Sequence, residues 1–89
     1  MKVNFKSVKV QMTFEGEAIS IDLRKDLGNA IRRNTADIGM DETARQIYFS
    51  DGEIEIPDEH ANEIIAIASK SFIVPIQQAL KELLTNKEE

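Results

Sequence analysis

From Val8 onward apolar and polar residues alternate: Val8, Val10, Met12 and Phe14, then, beyond Glu15-Gly16, Ile19, Ile21 and Leu23. A period of two is the mark of a half-buried strand, so this stretch predicts strand, turn, strand. With Glu15-Gly16 as a two-residue loop, Phe14 faces Glu17, Met12 faces Ile19, Val10 faces Ile21 and Val8 faces Leu23, which sets three apolar pairs on one face. Glutamate is not favoured at the first position of a primed turn, so the register also admits a bulge at Gly16. Val3 and Phe5 fall on odd positions, whereas Val8 and its successors fall on even ones. That phase change near Lys6-Ser7 predicts a bulge or a late strand start.

The period then lengthens. Leu23, Leu27, Ile31 and Ile38 fall on one helical stripe with Ala30 beside it, Asp22 as N-cap and Gly39 as a left-handed stop. Gly28 lowers the propensity of this helix by about 1 kcal/mol relative to alanine, and its predicted use is to let the helix lie close to the sheet. Residues 41–56 admit two readings. Asp41 could cap a short helix carrying Ala44, Ile47 and Tyr48; alternatively, Gln46–Ser50 and Glu53–Ile56 form a second hairpin around Asp51-Gly52. The reading adopted is a helix from Asp41 to about Ile47, an irregular turn through Gly52 and a short strand from Glu53 to Ile56.

Pro57-Asp58-Glu59 opens a further helix, with Asp58 as its cap and Ala61, Ile64, Ile65, Ala68 and Phe72 as its apolar set. A break is expected from Ser69 to Val74, because Pro75 restricts the residue before it and suits only a first turn. The last helix carries Ile76, Ala79, Leu80, Leu83 and Leu84 before a fraying tail, residues 85–89. The predicted architecture is one α+β domain over residues 1–89. It is a two-layer fold in which an N-terminal antiparallel hairpin, with or without a third short strand, packs against three to four α-helices.

Length and composition narrow the picture further. A chain of 89 residues, 42% apolar and 30% charged, builds one core with little space for a buried active-site cavity beside it. The absence of cysteine removes disulfides, thiolate metal sites and cysteine nucleophiles. No apolar run reaches the roughly 18 residues of a membrane span, and Met1–Lys6 reads as a strand start and not as a signal peptide. A soluble, cytoplasmic protein without a membrane partner is therefore expected.

The net charge of −5 conceals an asymmetry. Residues 1–33 hold seven basic side chains against four acidic ones, whereas residues 34–89 hold four against twelve. These charges can simply solvate ordinary helices and turns, or they can form a docking surface of basic end against acidic end. On the second reading Arg24, Arg32 and Arg33 form the positive edge, Asp51, Glu53, Glu55 and Glu59 its acidic counterpart, and Leu80, Leu83 and Leu84 an apolar seam. The seam could equally close the monomer's own core.

Catalytic signals are sparse. His60, the only histidine, is expected to be an exposed first-turn residue among Asp58, Glu59 and Glu63, and no Gly-x-Ser-x-Gly elbow accompanies it. Counting an EF-hand loop from Asp51 gives Ile56 where glycine is needed and Asn62 where a bidentate glutamate is needed. Neither phosphate-binding glycine pattern occurs. No enzyme activity, cofactor, metal or small-molecule substrate is therefore expected. Nucleic acid is disfavoured by the net charge, although a small regulator using Arg24, Arg32 and Arg33 is the alternative from another class. The reading reached is a non-enzymatic protein–protein interaction module whose partner is another protein or a second copy, as in a homodimer.

The runs Asp22-Leu23-Arg24-Lys25-Asp26-Leu27-Gly28-Asn29-Ala30-Ile31, Thr35-Ala36-Asp37-Ile38-Gly39 and Ala44–Ile56 resemble small uncharacterised proteins encoded in bacterial prophages. The resemblance carries no catalytic motif. It implies an accessory or morphogenesis role among phage structural genes.

Overall fold

The change of phase near Lys6 marks a boundary between two sheets. In the computed structural model, which describes residues 1–85, strand β1 (Lys2–Asn4) pairs antiparallel with β4 (Glu53–Glu55), setting Val3 opposite Ile54. Strand β2 (Val8–Val10) pairs antiparallel with β3 (Ile19–Ile21). Val3, Phe5, Val8 and Val10 all point into one core although their sequence phases differ, because the turn through Phe5–Ser7 absorbs the extra residue.

The hairpin forms, but with a register two residues from the expected one: Val8 faces Ile21, Lys9 faces Ser20 and Val10 faces Ile19. Leu23 is not a ladder residue; its amide donates to the Phe5 carbonyl at 2.9 Å, where helix α1 (Arg24–Asn34) begins. Gln11–Ala18 is a long loop, not a two-residue turn. Its own side chains satisfy its backbone: Gln11 Nε2 donates to the carbonyls of Thr13 and Gly16, and the Gly16 amide donates to Thr13 Oγ1 at 2.8 Å. Gly16 lacks the positive φ that a primed turn would have required.

Helix α1 also ends earlier than the stripe suggested. Asn34 Nδ2 turns back to the Ala30 carbonyl at 2.7 Å and Thr35 is extended. Asp37 then caps helix α2 (Ile38–Tyr48), accepting from the Gly39 amide at 2.9 Å. Gly39 is therefore a first-turn residue and not a stop, and Ile38 is 87% exposed instead of belonging to the α1 stripe. Asp22 sits before α1 and accepts from the Arg24 amide at 3.1 Å, while Leu23 holds the N-cap position.

Of the two readings of residues 41–56, helix followed by strand is the one found; α2 begins at Ile38, not at Asp41, and runs through Tyr48. A hairpin around Gly52 would require Ile47 in a strand, but Ile47 is helical and fully buried.

Helix α3 (Asp58–Ser71) begins after Pro57, and Asp58 makes no capping bond. It buries Ala61, Ile64, Ile67 and Ala68, so Ile67 takes the inward position expected of Ile65, which is half-buried. The break is shorter than expected. Only Phe72 and Ile73 separate α3 from α4 (Val74–Thr85), and Pro75 is accommodated in the first turn of α4. Helices α1 and α2 form the most extensive pair, α3 packs on α1 and α4, and α4 also covers β2. The fold is α+β. Of the tail expected to fray over residues 85–89, Thr85 is the last residue of α4, its hydroxyl donating to the Lys81 carbonyl, and the remainder lies outside the described residues.

Candidate functional site

The charge asymmetry read from the sequence is partly neutralised within the chain. Lys6 Nζ lies 3.3 Å from Asp51, Arg32 3.4 Å from Asp41, and the Met1 amine 2.9 Å from Glu55. In each pair a group from the first 33 residues meets a carboxylate from the acidic remainder. Hydrogen bonding and attraction from the Met1 amine pull the Glu55 carboxyl below its ordinary range.

Arg24 is committed most completely. Its guanidinium grips Asp22 through two oxygens, at 3.0 and 2.7 Å, and donates to the Ser50 carbonyl at 2.5 Å. Ser50 is itself buried, its hydroxyl donating to the Ile47 carbonyl. Arg24 thus ties the β3–α1 junction to the end of α2 and is not a freely presented docking charge. The bidentate grip raises the guanidinium pKa and holds Asp22 down to about 2, chiefly through the Arg24 side-chain hydrogen bonds.

A carboxyl lowered from its ordinary 3.8 contributes stability above that value and loses it as pH falls toward the folded value of about 2. Wild type is therefore expected to lose stability more steeply between about pH 4 and pH 2 than Asp22→Asn. Urea midpoints measured across that range check this, and parallel curves would exclude the coupling.

The other candidates lie on three elements. Arg33 is exposed on α1, Glu53 and Glu55 are exposed on β4, and Glu59 is exposed on α3. The apolar seam is corrected outright for two residues. Leu80 and Leu84 are buried in the chain's own core because α4 closes over β2 and α3, while Leu83 is half-buried at the margin.

His60 also departs from expectation. It is half-buried, with Nδ1 2.7 Å from Thr43 Oγ1 across the α2–α3 contact. Thr43 is buried and His60 half-buried, so this hydroxyl–imidazole contact is partly shielded from solvent.

Two features escaped the sequence reading. The first is the arm formed by β2, β3 and their loop, in which every residue from Gln11 to Ser20 is exposed. Phe14 stands wholly in solvent at its tip, accompanied by Met12 and Ile19. The second is a cleft of about 240 Å³ between α1 and α2. Gly28, Ala44, Tyr48 and Phe49 form its apolar wall, the two rings meeting edge to face with centroids 4.8 Å apart. Arg32, Arg45, Asn29 and Asp41 surround the apolar wall. Asp41 Oδ1 is turned away from solvent without a hydrogen-bond partner among the described residues.

The arm left one signal in the sequence. The segment Thr13-Phe14-Glu15-Gly16-Glu17 sets a lone aromatic beside two carboxylates and a glycine, which fits a loop tip better than a strand end. The cleft left none, since its walls come from residues up to 21 positions apart.

Comparison with known protein families, curated proteins and solved structures gives no match to this chain. Among the described residues no helix is long and apolar enough to cross a membrane.

Proposed function

We propose that the chain is a non-enzymatic protein–protein interaction module. The observation that carries this reading is the arm: Phe14, Met12 and Ile19 are displayed together on one hairpin while the core beneath is closed. Exposed apolar side chains scattered singly mean little, but a cluster of them on a projecting element marks a contact surface. Arg24 supports the same reading, because its guanidinium is held by Asp22 and Ser50 and is unavailable as a phosphate contact. Within this reading we propose an accessory or morphogenesis role, which is what the resemblance of the runs Asp22–Ile31, Thr35–Gly39 and Ala44–Ile56 to small prophage-encoded proteins implies.

The test uses the intact chain as bait in extract of the cells that naturally produce it, beside Met12→Ser/Phe14→Ser/Ile19→Ser. All three positions are solvent-exposed, so the variant is expected to fold. At least one protein, the chain itself included, should be retained about tenfold better by wild type. Equal retention by the two baits, or retention of nothing by either, would remove the proposal.

A further inference from the structure

We propose that the arm of one copy docks into the α1–α2 cleft of a second copy, so that the chain associates head to tail. This rests on the interaction-module reading and names its partner. Three properties of the two surfaces match. The first is size: the cleft holds about 240 Å³, and a cavity of about 150 Å³ suffices for a benzene ring. The Phe14 ring is the one large apolar side chain that is entirely solvent-exposed, so its own chain's cleft does not receive it.

The second match is chemical. The cleft lining includes Ala44, Tyr48 and Phe49, so an incoming ring meets aliphatic carbon and aromatic rings. The third is charge. Glu15 and Glu17 flank Phe14 on the arm, and Arg32 and Arg45 stand at the cleft. Asp41 also lies there and its Oδ2 faces Arg32 at 3.4 Å, so that pair largely cancels and Arg45 supplies the net positive charge that meets the incoming carboxylates.

The loop of the arm is also cross-tied by its own side chains. Gln11 and Thr13 cross-tie the loop through the hydrogen bonds to Thr13, Gly16 and its amide. A preorganised knob loses less conformational freedom on docking than a slack loop does.

Because knob and cleft are different surfaces of one chain, the contact is heterologous, and a docked pair leaves one knob and one cleft open. That property makes a sharp test. Phe14→Ser removes the knob but keeps the cleft; Arg32→Glu/Arg45→Glu reverses the cleft charge but keeps the knob. All three positions are exposed, and far-ultraviolet circular dichroism and thermal melts would check that each variant folds.

Molar mass by light scattering should rise with concentration for wild type and fall back when salt is raised from about 0.05 to 0.5 M. Each variant alone should self-associate at least about tenfold more weakly. Mixed together, the two variants should form a 1:1 complex that grows no further. Adding Glu15→Lys/Glu17→Lys to the charge-reversed chain should restore its self-association, since the two reversals then face each other.

A wild-type monomer up to about 1 mM would overturn the inference, as would undiminished assembly of Phe14→Ser. Failure of two folded variants to complement each other would overturn it equally. If wild type stays monomeric while the bait still captures another protein through the arm, only the self-docking inference falls. If the arm captures nothing and the chain stays monomeric, the module reading falls with it.

Discussion

Replacing Phe5 with alanine is expected to lower the unfolding free energy by about 3–5 kcal/mol, the cost of removing a fully buried aromatic ring and leaving a cavity behind. Domains of this size hold only about 5–13 kcal/mol in total, so the change consumes a large part of the stability. Phe5 lies between the end of β1 and the start of β2, and its carbonyl receives the Leu23 amide at the entrance to α1. The ring therefore fills the point at which both two-stranded sheets and the first helix meet. A two-stranded ribbon is marginal alone, and here each ribbon depends on packing against that shared core. The melting temperature should fall by roughly 12 °C or more. Phe5→Leu, which keeps much of the apolar volume, should recover most of the loss. A loss below about 1 kcal/mol for the alanine variant would show that the ring is not enclosed.

The same residue shows why part of the fold was legible. Val3, Phe5, Val8 and Val10 declare themselves by alternation, but the slip in their phase, which predicted a bulge or a late strand start, proves to be the passage from one sheet to another. Ile64, Ala68, Leu80 and Leu84 likewise follow helical spacing and are buried. Periodicity succeeds where one face of an element meets one core. It misleads where alternation continues past the covered region: Met12 and Phe14 extend the pattern of Val8 and Val10, yet they stand in solvent because the sheet below ends at Val10. The two-residue shift in register follows from the same over-extension. Ile38 fails for the corresponding reason in a helix. It sits at the right angle to continue the α1 stripe, but Thr35 breaks the backbone and Asp37 starts a new helix through its own side chain.

The candidate site was less legible because it depends on long-range juxtaposition. Charge counts along the chain gave the correct signs of the N-terminal and C-terminal portions, and folding then spent several of those charges on each other, as with Lys6 and Asp51. An excess of one sign in a segment reports its composition and not which cations remain presented. Arg24 makes the point most directly: its neighbour two residues away, Asp22, takes the guanidinium that the sequence offered to a partner.

Gly28→Leu is expected to destabilise the chain by about 2–3 kcal/mol through overpacking. The glycine was expected to bring α1 close to the sheet, but the close approach is to α2. A Cβ at this position would lie 3.0 Å from the Ala44 carbonyl oxygen and 3.0 Å from Tyr48 Cβ, so a larger side chain must push the two helices apart. No flexible side-chain tip can swing aside, since one obstacle is backbone and the other is the root of a side chain. Gly28→Ala sets two opposed terms against each other: a gain of roughly 0.5–1 kcal/mol in helix propensity and the cost of moving α2 by a few tenths of an ångström. A net change within about 1 kcal/mol is therefore expected for alanine, with the leucine variant well below it on the same chemical-denaturation curves. Equal stability of the leucine and glycine chains would refute the close crossing. The crossing matters for function because Gly28, Ala44 and Tyr48, which meet at it, also line the cleft, so the distance between α1 and α2 sets the cleft's width.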